Sequence, residues 1–314
     1  MGWSMSRVFL YGAFQDGTRR SEVCTDVNFG DRLIYQVTKD ALVKEGYDVD
    51  FCLPDDNDIM ASLTPDDVLV IGPGGLFHPM LINLDSILSC KAEKAVFGVG
   101  VNWPFGTKGD CVNEVRRVAQ SLCSRMEVIS VRDRITLNFV GAGSFPVFPD
   151  VSLVYMGTQS TGIGSAFVWS GDGEPEDNED LLFFSLLSKR RDECYGPTRH
   201  KRTIITDINQ MSGYKRVRGE SYHAMLVPLC FGADVLTRIV NIKQLAFIED
   251  YRDYLVVNYC GDSVHISLPP GGYPLRMMAC EGLSRLVQWV KSVSPVPAKE
   301  KSCQPPSSSE SATK

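Results

Sequence analysis

The feature that most constrains this chain is an alternation of strand and helix signals in which strands repeatedly end in glycine. Arg7 to Tyr11 reads as an apolar strand, and Gly30 to Lys44 carries apolar residues at helical spacing (Leu33, Ile34, Val37, Ala41, Leu42). Tyr47 to Leu53, Val68 to Ile71, Ala95 to Val99 and Val128 to Val131 read as further strands. Val112 to Cys123 and Ile135 to Val140 read as helices between them, and Pro146 to Asp150 leads to another sheet edge. Such alternation implies right-handed crossovers and a mainly parallel sheet.

Around Tyr155 to Ser165 the composition shifts to Gly, Ser and Thr, the pattern of a linker. A second α/β set follows. Ala166 to Ser170 is expected as a strand, Asp177 to Lys189 as a helix, and Thr203 to Asp207 and Lys215 to Arg218 as strands. Then come a helix over Tyr222 to Phe231, a strand over Asp234 to Ile239, a strand pair within Tyr254 to Ile266 and a closing helix over Gly282 to Val293. Lys189 to Arg202 is polar and basic, as expected of a surface loop. The expected organisation is therefore an N-terminal domain over 1–155, a linker over 156–165, a C-terminal domain over 166–293 and a disordered tail over 294–314. The tail is rich in Pro, Ser, Lys and Glu and lacks the apolar surface to offset chain entropy.

Hydrophobic residues make up 44% and charged residues 22% of the 314, the balance of a globular protein with a large core. The net charge of -6 gives no basic field for nucleic acid or an acidic membrane surface. No apolar run approaches the ~20 residues of a membrane span. The start of the chain is too polar for a secretory signal, so a cytoplasmic location is expected. Ten scattered cysteines with no C-x-x-C pair suit a reducing compartment and argue against a zinc site. No metal and no cofactor is expected.

Several short motifs lie at the strand ends. Asn28-Phe29-Gly30-Asp31 opens the first helix; Asn28 is a good N-cap type, and Gly30 permits close backbone approach. Gly72-Pro73-Gly74-Gly75 is a Gly-rich turn whose backbone N–H groups suit an anion. No Lys-Ser/Thr follows, so it is not a P-loop. Gly98-Val99-Gly100 ends another strand, with Pro104 beyond. Arg132-Asp133 stands just before a helix, and Arg is suited to bidentate contact with carboxylate or phosphate. In Gly219-Glu220-Ser221-Tyr222-His223 a strand breaks and a His enters the first turn of a helix, at the sheet edge where ligands of open α/β folds bind. Each motif alone is equally explained by capping, packing or a tight turn.

In their order and spacing the motifs resemble the polysaccharide pyruvyl transferase family over roughly residues 6 to 250. The resemblance rests on Asn28-Phe29-Gly30-Asp31, Gly72-Pro73-Gly74-Gly75, Gly98-Val99-Gly100 with Pro104, Arg132-Asp133 with Thr136, Asp150, and Ser221-Tyr222-His223. It implies an α/β fold of two Rossmann-like domains facing across a cleft, the GT-B-like plan. It also implies transfer of a pyruvyl group from phosphoenolpyruvate to hydroxyls of a sugar or glycan. Phosphoenolpyruvate and the glycan are then the partners. His223 is the expected acid or base, Arg132 the expected donor-anion ligand, and Asp31, Asp133 or Glu220 the group that orients the acceptor. Asn28, Gly30, Gly74, Gly75, Arg218 and Ser221 complete the expected site.

The chain departs from the family pattern at Ser221, where an Arg is usual, and at Val151, where a Pro is usual. Arg216 or Arg218 is the expected source of the missing cation. A nucleotide-sugar glycosyltransferase on the same plan, or an inactive family member serving as a binding or scaffold protein, are the alternatives.

Overall fold

The structure is a computed structural model that describes residues 7–12, 29–78, 81–141, 144–157, 162–169, 175–184, 201–269 and 274–295. Among them, thirteen strands form two sheets. The first begins with β1 (Arg7–Tyr11), β2 (Asp48–Cys52) and β3 (Val68–Ile71), and continues with β4 (Gly74–Phe77), β5 (Glu93–Val101) and β6 (Glu127–Val131). All its pairings are parallel. Val99 pairs with Gly74 on one side and Val131 on the other, while Val96 pairs with Ile71 and Val128. β4 therefore prolongs β3 along the same flank of β5. The order across the sheet becomes β2, β1, β3 with β4, β5, β6, which places a reversal of strand order between β1 and β3. That is where doubly wound sheets bind ligands.

Alternation along the strands explains why both faces are covered. Val8 and Leu10 of β1 and Val68 and Val70 of β3 join one apolar cluster. Phe9, Tyr11, Leu69 and Ile71 join another on the opposite face. Helix α1 (Phe29–Lys44) packs Ile34 and Val37 on the first face, with Asp31 in its first turn and Lys44 in its last, both favourable to the helix dipole. The short helices α2 (Asn57–Ser62) and α3 (Leu84–Ser89), then α4 (Gly109–Arg125) and α5 (Arg134–Val140), follow in the loops; α4 and α5 cover the second face. The expected Gly-rich turn is thus only partly a turn, because Gly74 and Gly75 already belong to β4.

The second sheet runs in the order β12-β13-β11-β10-β7-β8-β9. Here β7 is Gly164–Trp169, β8 Glu179–Phe183, β9 Arg202–Ile204, β10 Tyr214–Gly219, β11 Asp234–Arg238, β12 Val256–Cys260 and β13 Ser263–Ser267. Only β13 runs against the rest, pairing antiparallel with both β11 and β12. Helices α6 (Tyr222–Cys230) and α7 (Ile242–Asp250) follow β10 and β11.

Four local expectations are corrected. The described part of the helix expected over Asp177 to Lys189 is strand β8. Leu181 and Phe183 bury into one cluster and Leu182 into another, so the run is apolar on both sides and has no period to read. Helix α7 was not expected. The closing helix α8 (Pro274–Val293) starts eight residues before Gly282, with Pro274 at its first position, where the missing N–H costs nothing. Its first half buries Leu275 and Ala279 with the second sheet, and its second half buries Leu286 and Val290 against the first. The expected tail opens on Ser294, which is buried and whose carbonyl accepts a bond from the Tyr47 hydroxyl at 2.9 Å. Residues 296–314 of the expected tail, residues 185–200, which include the end of the expected helix and most of the loop expected over 189–202, and residues 158–161 of the expected linker lie outside the described residues. No helix among the described residues is long and apolar enough to cross a membrane.

Candidate functional site

The two sheets meet at their carboxyl edges, where α1, α6 and α7 start. A cavity of about 140 Å³ lies there. Its walls include Asp31 of α1, Gly74 and Gly75 of β4, Asn102, Arg132, His223 of α6 and Lys243 of α7.

Two glycines make this convergence possible by close approach. A Cβ on Gly30 would overlap the His223 imidazole, so the first turn of α1 can lie against that ring only as glycine. A Cβ on Gly100 would stand 2.6 Å from Cζ and Nε of Arg132, so β5 must be bare where the guanidinium crosses it. The N-x-G-D and G-x-G motifs thereby acquire a shared reason: each clears space for a charged or titratable side chain.

Arg132 is 3% exposed. Its Nε lies 3.5 Å from Asp133 and its Nη1 3.8 Å from Asp150, both acids being buried. Its Nη2 donates to the Val101 carbonyl at 3.3 Å, and its Cζ stands 4.7 Å from the Tyr222 ring centre. Burial opposes the charge, but Tyr222, Asp133 and Asp150 together outweigh it, and the guanidinium is held above its ordinary pKa. Asp133 caps α5, accepting from the Thr136 N–H at 2.6 Å; Asp150 accepts from the Ser152 N–H and hydroxyl. The acids are thus fixed by the backbone and in turn fix the Arg.

His223 is 5% exposed, and its Nε2 has no hydrogen-bond partner among the described residues. Burial pushes its pKa down to about 3, with Asp150 opposing and Lys243 and Arg132 adding to the fall. The imidazole is therefore neutral at pH 7. An orphaned buried nitrogen in a cavity is costly unless a ligand meets it. Lys243 is half-buried, with Nζ 5.6 Å from the Tyr222 ring centre. Burial lowers its pKa to about 8; Asp31 and Asp150 oppose this and Arg132 reinforces it.

Sequence reasoning placed Asp31, Gly30, Gly74, Gly75, Arg132 and His223 at a site, and the structure brings all six together. Asn28 lies outside the described residues. Ser221 caps α6 by accepting from the Ala224 N–H at 3.1 Å. Glu220 is bound by Arg238 at 3.2 Å, and neither it nor Ser221 is in the cavity wall. Arg218 does not supply the missing cation: its Nη2 and Nε bond Glu179 at 2.6 and 3.2 Å, and its Cζ lies 4.6 Å from the Phe167 ring centre.

Lys243 and Asn102 were missed. Lys243 is held by a capping box in which the Asn241 side chain accepts from the Lys243 N–H and Gln244 reaches back to the Asn241 N–H. The signal was legible as Asn241-Ile242-Lys243-Gln244 before an apolar run. A lysine in a first helical turn opposes the dipole and so asks for a reason.

The two cations, the neutral imidazole and the bare backbone of β4 can receive a small ligand with two anionic groups and exchange a proton with it. No curated protein matches the chain. The family model described as polysaccharide pyruvyl transferase matches residues 28–236, a span that holds Arg132 and His223 and ends seven residues before Lys243. Since that span covers most of the 314 residues, the chain belongs to the polysaccharide pyruvyl transferase family.

Proposed function

We propose that this protein transfers the pyruvyl unit of phosphoenolpyruvate to two hydroxyls of a sugar or glycan, forming a pyruvate ketal and releasing phosphate. The observation that carries the reading is the convergence of Arg132, Lys243 and His223, from different elements of both sheets, on one cavity. The two-sheet arrangement with the cavity between carboxyl edges also supports a GT-B-like plan.

Arg132 and Lys243 bind the donor's carboxylate and phosphate, charge-assisted contacts stronger than neutral ones. Those anions also favour the protonated form of His223, which the free protein disfavours. His223 then gives a proton to the methylene carbon of the donor. The first acceptor hydroxyl adds to the central carbon and loses its proton. The carbon–oxygen bond to phosphate breaks, and the second hydroxyl adds and loses its proton. Of the two hydroxyl protons, one replaces that on His223 and the other leaves with phosphate. Asp31, on the cavity wall, is the group placed to orient an acceptor hydroxyl.

Lys243 restores the cation that Ser221 removes, which favours an active enzyme over a binding protein. The test is phosphate release from phosphoenolpyruvate in the presence of a panel of glycans, with wild type and His223→Ala. Acceptor-dependent release by wild type alone supports the reading; none with any acceptor overturns it.

A further inference from the structure

The cavity holds donor-binding groups and leaves little volume for a glycan, so most of an acceptor chain must lie elsewhere. A second, larger depression of about 340 Å³ lies on the other side of α1. Phe29, Leu33 and Ile208 form its apolar floor, the Tyr155 ring lies within it, and Arg32 and Gln36 stand exposed on its rim. Along α1, residues 29, 32, 33 and 36 face this groove, while 30, 31 and 34 face the catalytic side. One helix, ~10 Å across, therefore separates the two.

Both depressions open at the carboxyl edge of the second sheet. The groove takes Thr206 and Asp207 from just beyond β9, as the cavity takes His223 from beyond β10.

The lining points to a ligand class. An aromatic ring beside apolar floor suits the C–H face of a sugar ring, and flat guanidinium, amide and carboxyl groups suit its vicinal hydroxyls. Burial, then Asp40 and Asp207, hold the Tyr155 phenol above its ordinary pKa, so it remains an O–H group. Among the described lining residues the one cation, Arg32, is offset by one acid, Asp207, a balance that suits a neutral ligand better than a phosphate or a nucleotide. Its volume lies in the range of ordinary ligand pockets, ~300–1,000 Å³.

We propose that this groove is a second binding site, which takes a neutral saccharide segment of the acceptor remote from the reacting sugar. The proposal rests on the pyruvyl transfer reading for the identity of that acceptor. The test probes the full chain on a printed array of neutral oligosaccharides of graded length, and separately measures the melting shift caused by phosphoenolpyruvate. Wild type is expected to hold the longer oligosaccharides. Arg32→Ala should weaken that binding about tenfold, the scale of one lost charged hydrogen bond, and Tyr155→Ala should weaken it by removing the ring face, while the phosphoenolpyruvate shift stays unchanged.

No array binding by wild type, or an unaltered profile in both variants, overturns the groove and leaves the donor reading intact. Array binding that the variants lose, with no phosphoenolpyruvate shift in wild type, sinks the donor reading and keeps the groove. If either variant loses the donor shift through misfolding, Gln36→Ala, at an exposed helical position, decides in its place.

Discussion

Gly30→Ala separates site geometry from stability more cleanly than removal of any charged residue. Gly30 lies in the first turn of α1 with an ordinary negative φ, so alanine is conformationally acceptable there and gains up to ~1 kcal/mol of helix propensity. Against this, the new methyl would occupy the position of the His223 ring. Overpacking of this kind costs ~1–3 kcal/mol, so the net loss is ~0–3 kcal/mol. The ring must move, and an acid displaced from its substrate forfeits ~10²- to 10⁴-fold in rate. Turnover should therefore collapse while the protein stays folded. The assay is a double-mutant cycle in denaturant: Gly30→Ala alone, His223→Ala alone, and both together. Removing the imidazole removes the two closest contacts but leaves the Cβ of residue 223 at 2.5 Å, so Gly30→Ala should cost clearly less in the His223→Ala background. An identical cost in both backgrounds would refute the contact and with it the reason given for the glycine.

Other predictions follow from the same geometry. Arg132→Ala should destabilise by ~3–5 kcal/mol in urea melts, because it strands Asp133 and Asp150 as buried unpaired acids; Arg132→Lys is the variant that isolates donor affinity. Arg218→Ala should leave phosphoenolpyruvate affinity unchanged in a calorimetric titration and lower stability only modestly, since its partner is Glu179. Lys243 loses its proton in the folded protein near pH 8 and ordinarily at 10.5, so donor affinity should fall as pH rises through about 8. Over that same window the unfolded chain holds more protons, so the Lys243 contribution to stability rises with pH. His223, lowered to about 3, makes stability fall as pH drops below 6.5, and His223→Ala should flatten that part of the melting profile.

Much of the fold was legible because the strands of the first sheet bury both faces and read as short apolar runs between helical periods. The same property hid β8: Leu181 to Phe184 is apolar throughout, and period cannot tell such a run from a helix. The site was legible where backbone needs and chemistry coincide, at Gly30, Gly74, Gly75, Arg132 and His223. Arg218 looked like the replacement cation because it is near His223 in sequence. On a strand two residues apart means one face, and that face of β10 looks toward Glu179 of β8. Lys243 comes from the next β-α unit, and only the packing of α7 beside α6 shows that it shares the cavity. Asp150 could be placed at a strand end, but not within 3.8 Å of Arg132, since that distance depends on how a loop returns to the sheet.

The central claim is that Arg132, Lys243 and His223 form a binding site for a small donor with two anionic groups. Calorimetric titration of phosphoenolpyruvate into wild type and Lys243→Gln at pH 7 tests it most directly. Wild type should bind one equivalent, with uptake of protons by His223 visible as a dependence of the measured heat on buffer ionisation. Lys243→Gln should bind at least about tenfold more weakly, the scale of one charge-assisted contact. No binding by wild type, or equal affinity in the two proteins, would contradict the account.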